Sequence, residues 1–167
     1  MDSIKLYTVN PRYIDYLCVH CRHLFHNKKP TQANERKYIG IVLRVEDMNY
    51  FAPLSSFKDK HRHMKEGLDL LKIKDYAVIN LNNMFPAQLV SCHYVDIAKV
   101  HNQKYKDLLL AEWRYIKSIQ QKIRNNACTL YQLKIQAIKD SRDTPLTKRY
   151  ADFLLLESLC HVYKTKA

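Results

Sequence analysis

Ser55, Ser56 and Lys58, followed at short range by Lys60, His61, Arg62, His63 and Lys65, bring hydroxyls, cations and imidazoles into one run, YFAPLSSFKDKHRHMK, from Tyr50 to Lys65. Such a mixture suits a phosphodiester better than a neutral metabolite, because the cations concentrate an anion and the hydroxyls can donate to it. RNA carries its own nucleophile, the 2′-hydroxyl. A protein that cleaves it must remove that proton, supply one to the leaving 5′ oxygen and stabilise the added charge on the phosphorane. Ser55 and Ser56 could donate to the non-bridging oxygens, and Lys58 could hold the charge or exchange a proton. His61 and His63 titrate nearer neutrality and are the rival acid–base pair. Metal-dependent chemistry wants clustered carboxylates, and this run offers only Asp59. Two glycines in the whole chain cannot build the phosphate-cradling loop of an NTPase. No cofactor or metal is therefore expected.

The elements that must position this run are read from hydrophobic periodicity. Residues 4–9 form a strand, and Asn10-Pro11 caps a helix whose apolar face is Ile14, Leu17, Cys18 and Cys21, extended toward Leu24 and Phe25. Residues 26–36 lack periodicity and carry Lys28, Lys29 and Arg36, either as a solvated connection or as an RNA-facing loop. The β-rich run 37–45 and the half-buried strand Tyr50–Leu54 form a hairpin through a four-residue turn, 46–49, with a bulge expected at Gly40. Pro53 marks the second strand as an edge, exposing Ser55 and Ser56 at its end. Residues 68–73, 76–81 and 88–97 supply further strands, about six in all. The amide cluster around Asn80, Asn82 and Asn83 either closes a turn or contacts bases. From Lys99 the period becomes helical, with a break at Asn125-Asn126 and a third start at Thr144-Pro145.

At 167 residues the chain has the length of one domain with its own core. Its 28 Lys and Arg exceed its 16 Asp and Glu by 12, so an anionic partner is the first expectation. Residues 99–149 hold 12 of the basic residues and 4 of the acidic ones, among them Lys117, Lys122 and Arg124, which makes the helices a track for a polyanion. No apolar run is long enough to span a membrane, nor does a secretory signal appear, and a cytoplasmic protein is expected. The basic residues do not oppose one long apolar helix face, which weighs against a membrane-surface protein. Five scattered cysteines read as free thiols. Cys18 and Cys21, with His20, His23 and His26 nearby, raise the question of zinc, but both thiols share the apolar face of the first helix.

The chain resembles the ToxN/AbiQ family, the endoribonuclease toxins of bacterial type III toxin–antitoxin systems, and within it the CptN branch. The resemblance is carried by Leu6-Tyr7-Thr8 with Tyr13-Ile14-Asp15-Tyr16-Leu17, by Tyr38-Ile39-Gly40-Ile41-Val42-Leu43, by Tyr50-Phe51-Ala52-Pro53-Leu54-Ser55-Ser56 with Lys58 and His61, and by Ile79-Asn80-Leu81-Asn82-Asn83-Met84. It implies an α+β fold: a compact, partly barrel-like antiparallel sheet related to the MazF/Kid core, with surrounding helices and a helical C-terminal half. It also implies metal-independent cleavage of adenine-rich single-stranded RNA in cellular or phage messages, leaving a 2′,3′-cyclic phosphate and a 5′-OH. The implied partner is a repeated RNA antitoxin, processed by the toxin, folded as a pseudoknot and assembled with it in closed rings. Ser55, Ser56 and Lys58 match the family's catalytic hydroxyls and lysine, and Arg36 or Lys37 stands where the family can place an upstream catalytic lysine. Under this reading Lys28, Lys29, Lys60, His61, Arg62, His63, Lys65, Asn82, Asn83, Lys117, Lys122 and Arg124 contact RNA. Phe57 stands where relatives often have proline, and a tyrosine used by some relatives has no match in residues 26–35. The alternative function is a non-catalytic RNA-binding regulator.

Overall fold

The computed structural model describes residues 2–24 and 35–163. Lys28 and Lys29, with Phe25 of the expected helix face, lie outside the described residues. The elements run β1 (Lys5–Val9), α1 (Pro11–His20), β2 (Lys37–Val45), β3 (Met48–Ser56), α2 (Asp59–His63), β4 (Leu70–Ile73), β5 (Ala77–Asn80), β6 (Phe85–Ala87), β7 (Cys92–Tyr94), α3 (Gln103–Ser118), α4 (Gln120–Lys139) and α5 (Phe153–Val162).

Every described strand pairing is antiparallel, and the order is β4-β5-β3-β2-β1-β7, with β6 on β3 beside β5. Among the described residues β4 and β7 end the path unpaired and β6 pairs only with β3, so the seven-stranded sheet is open and not a closed barrel. β3 is its spine. It pairs with β2 along one side, and on the other with β6 at Asn49–Phe51 and β5 at Leu54–Ser56. Pro53 therefore sits in an interior strand, opposite Tyr38, where the far side passes from one partner to the next and no ladder donor is required. The expected edge is thus corrected, as is the expected half-burial, because Met48–Leu54 is buried throughout. The hairpin is also tighter than expected. Met48 already pairs with Val45, leaving a two-residue turn in which Glu46 takes φ 53°. Register slips between Gly40 and Leu43, which is the bulge expected near Gly40.

Strand β6 lies between the expected strands, where none is expected, while the strand expected over 88–97 is reduced to β7, since short 3₁₀ turns at Leu89–Ser91 and Ile97–Lys99 flank it. The helical half breaks at Ile119, where the Ser118 hydroxyl donates back to the Tyr115 carbonyl, and not at Asn125-Asn126. Those two asparagines sit inside α4 because Gln121 donates to the Asn125 amide oxygen and Asn126 to the Gly67 carbonyl. Thr144 opens only a 3₁₀ turn, and α5 begins later, capped by Asp152 on the Leu155 amide. Helix α4 packs on β2, α5 on β6 and α3 against β4. Tyr13, Tyr38, Tyr50, Tyr150, Phe51 and Phe153 fill the core between sheet and helices.

No helix among the described residues is long and apolar enough to cross a membrane. All five cysteines are free thiols, and no three His, Cys, Asp or Glu side chains among the described residues gather as metal ligands.

Candidate active site

Antiparallel pairing of Lys37 with Leu54 sets Arg36 beside Ser55 at the open end of the hairpin. Arg36 Nη1 donates to Ser55 Oγ at 3.0 Å, and Asn80 Nδ2 donates to the same oxygen at 3.3 Å from the far end of β5. A hydroxyl oxygen has two lone pairs, so both acceptor positions of Ser55 are taken and its own O–H is left to point elsewhere. What it faces is a cavity of about 200 Å3, lined by Glu35, Arg36 and Lys37 at the start of β2, Leu54–Phe57 on β3, Tyr76 and Ala77 at β5, and Tyr105, Leu108, Leu109 and Glu112 on α3. The structure thus turns Ser55 into a directed donor within a cleft that Arg36 and Lys37 also line.

Ser56 is exposed and lines the same cavity. Phe57 extends the β3–β5 ladder by one bond, its N–H donating to the Tyr76 carbonyl at 3.2 Å. A proline could not make that bond, so the residue by which this chain departs from the expected loop carries a local function. Lys58, exposed just past the cavity wall, is held by its backbone. Its N–H donates to His61 Nδ1 at 2.8 Å, and the His61 N–H returns to the Lys58 carbonyl at 2.8 Å, closing the first turn of α2.

That turn corrects the reading of His61. Its ring is 6% exposed, edge-on to Phe57 at 5.5 Å, and its pKa is lowered by burial first and then by Lys60, Lys58 and Lys72. An Nδ1 that accepts from a backbone amide fixes the Nε2–H tautomer. His61 holds the Lys58 backbone, and its ring is turned inward where the expected RNA contact calls for an exposed one. Lys60, Arg62, His63 and Lys65 are exposed around it, Arg62 lying 5.8 Å over Phe57 and 3.5 Å from Asp59. Lys37 donates to the Glu35 carbonyl at 3.1 Å and stands 5.9 Å over the Tyr105 ring.

The amide cluster divides. Asn80 reaches the site, whereas Asn83 is buried, donates to the Asn82 side chain at 3.3 Å, and belongs to a turn whose Asn82 carbonyl accepts from Ala151. Asn82 and Asn83 therefore build the turn between β5 and β6, Asn83 with its side chain buried and Asn82 half-buried. Lys117 stands 5.1 Å over Trp113, on the flank of α3 turned away from Leu108 and Glu112. Lys122 is 4.0 Å from Glu66, and Arg124 donates to the Asp2 carbonyl.

Sequence reasoning passed over Glu112. It occupies a position of the apolar stripe Tyr105, Leu109, Ile116, at helical spacing, and a carboxylate on a buried face was the available signal. Only 5% of it is exposed, and burial pushes its carboxyl up to about 7. Burial, with Glu112 and Glu35 nearby, raises Tyr105 as well.

Residues 5–161 match the family model of the toxin ToxN of type III toxin–antitoxin systems. The chain belongs to the ToxN/AbiQ toxin family. It is 30% identical over 160 residues to the endoribonuclease ToxN of Pectobacterium atrosepticum, covering 90% of this chain and 94% of that protein. It is 29% identical to the endoribonuclease AbiQ of Lactococcus lactis subsp. lactis, covering 99% and 92%. Solved AbiQ, described as a lactococcal anti-phage endoribonuclease, superposes with a TM-score of 0.81 at 25% identity over 97% of this chain and 98% of that one. A chain from work on selective toxin inhibition by a non-coding RNA pseudoknot gives 0.81 at 25% identity, over 99% and 100%.

Proposed function

We propose that the protein is an endoribonuclease toxin that cleaves adenine-rich single-stranded RNA by attack of the 2′-hydroxyl on phosphorus, without a metal ion, leaving a 2′,3′-cyclic phosphate and a 5′-OH. Membership of the ToxN/AbiQ family and the endoribonuclease relatives support the reaction class. The observation that carries the site is Ser55, whose lone pairs are both occupied by Arg36 and Asn80 so that its proton is presented to a cavity that Arg36 and Lys37 also line.

In this reading Ser55 and Ser56 donate to the non-bridging oxygens, Arg36 balances the added charge, and Lys37 stands beside it as a second cation. Lys58 gives a proton to the leaving 5′ oxygen. Lys60, Arg62, His63 and Lys65 line the approach, and Lys122 and Arg124 extend it along α4. The repeated pseudoknot RNA is substrate and inhibitor, assembled with the toxin in a closed ring. One cytoplasmic domain carries all of this, and a kinship of its sheet to the MazF/Kid core is what the family resemblance alone implies.

The test is cleavage of an adenine-rich oligonucleotide in EDTA with end-group analysis, using Ser55→Ala, Arg36→Ala and Lys58→Ala. Removing one preorganised donor lowers the rate about 10²–10³-fold. Cyclic phosphate ends that form in EDTA and disappear with these variants support the reading. RNA that binds but stays intact with the unaltered protein means a non-catalytic RNA-binding regulator instead.

A further inference from the structure

The cavity is rich in proton donors and poor in proton acceptors. Arg36, Lys37 and the Ser55 hydroxyl can only give hydrogen bonds to a bound phosphate, since the Ser55 lone pairs are already used. Tyr76 and Tyr105 are phenols, and the Tyr105 phenol is held protonated by burial. Of the two carboxylates that line the cavity, Glu35 is exposed at its rim. Glu112 lies inside, and among the described residues no hydrogen bond or ion pair reaches its carboxylate. A buried, unpartnered carboxylate costs stability that a leucine at the same stripe position would recover, which marks it as retained for another reason. Cleavage through the 2′-hydroxyl needs a base for one proton, and apart from Glu35 at the rim the ionisable groups that line the cleft are cations and phenols.

On the reading of function given above, we propose that Glu112 is the general base of the cleavage. Its carboxylate takes the proton of the ribose 2′-hydroxyl while the O2′–P bond forms. The P–O5′ bond breaks, and O5′ leaves with a proton from the Lys58 ammonium. Solvent then restores both groups. The titratable and hydroxyl groups that share its cavity are Glu35 and Arg36 just before β2, Lys37 at its start, Ser55 and Ser56 from β3, Tyr76 from the turn before β5, and Tyr105 from its own helix, while burial is what shifts its carboxyl. Burial brings the carboxyl up to about 7, so the base form accumulates through neutrality and the rate climbs with pH over that interval.

The experiment measures single-turnover cleavage of an adenine-rich oligonucleotide across the neutral range with saturating unaltered protein, Glu112→Gln, Glu112→Asp and Ser55→Ala, each also titrated for RNA affinity. Glu112→Gln keeps the shape and removes the base. It lowers the rate about 10²–10⁴-fold, abolishes the limb that rises through neutrality, and leaves RNA affinity within about twofold. Glu112→Asp, a shorter base, retains the limb at an intermediate rate, and Ser55→Ala loses rate while keeping it. A Glu112→Gln protein with unaltered rate and pH profile overturns the assignment, as does a loss confined to RNA affinity. If Glu112→Gln does not fold, Glu112→Asp decides by keeping or losing the limb. Failure of the functional reading has a different signature: the unaltered protein then gives no cyclic phosphate ends at any pH, and the base falls with it.

Discussion

Glu112 makes opposing demands on stability and chemistry, and the two separate by pH. Burial raises its carboxyl from 4.5 to about 7, so the folded state favours the protonated form. Its contribution to stability is complete below the unfolded value and is lost as pH rises through about 7, where folding must keep a bare charge away from water. The full difference is about 3 kcal/mol. Glu112→Gln cannot ionise, and is therefore expected to melt roughly 6–12 °C above the unaltered protein at pH above 7. The two melting temperatures converge in acid, below the unfolded carboxyl value. Thermal denaturation at a series of pH values checks this. A less stable Glu112→Gln protein at alkaline pH would mean that the carboxylate has a stabilising partner and is a structural residue.

At the level of elements, the hairpin of β2 and β3 does most to place the site, because it sets Arg36 against Ser55. Its bulge rests on Gly40. A Cβ there would overlap Cδ1 and Cε1 of Phe51, whose ring is fully buried and edge-on to Tyr7 at 5.2 Å. Gly40→Ala is expected to cost about 1–3 kcal/mol in urea unfolding, since neither ring can move without disturbing the sheet. It should also slow RNA cleavage by shifting Arg36 relative to Ser55. The glycine, the hairpin and the site serines were legible because strand period and turn composition are local signals. Asn80 was legible only as a member of an amide cluster and Glu112 not at all, since their places at the site follow from which strands and helices lie side by side. The same limit explains Pro53: a strand that changes partners midway looks like an edge in sequence. It explains the helical break too, since a serine's bond to its own helix and two amide contacts shifted it from Asn125 to Ile119. His61 misled for a related reason, its neighbours being basic and its ring turned inward by a single turn of helix.

Across the whole molecule the excess of 12 positive charges gives RNA binding a steep salt dependence, but the charges do not contribute alike. Arg149 is paired with Asp69 at 3.0 Å, and Lys134 with Asp143 at 3.0 Å, so both are committed within the fold. Lys60 in α2 and Lys65 just after it are exposed on the segment that follows the site serines, whereas Lys117 lies over Trp113 on the other flank of α3. Each phosphate neutralised on a single strand contributes about −0.7 to the slope of log K against log salt. For a short oligonucleotide that only fills the cavity, Lys60→Gln with Lys65→Gln should flatten the slope by about 1.4, and Lys117→Gln should leave it unchanged. A folded RNA unit is larger than the cavity and must rest on surface beyond it. With such an RNA, Lys117→Gln should also flatten the slope, and Arg149→Gln should not with either ligand. Fluorescence titrations of each protein with each RNA at several salt concentrations read these slopes. Equal effects of Lys117→Gln on the short and the folded RNA would mean that a single strand already crosses α3, and that the cleft is only part of the path RNA takes over the protein.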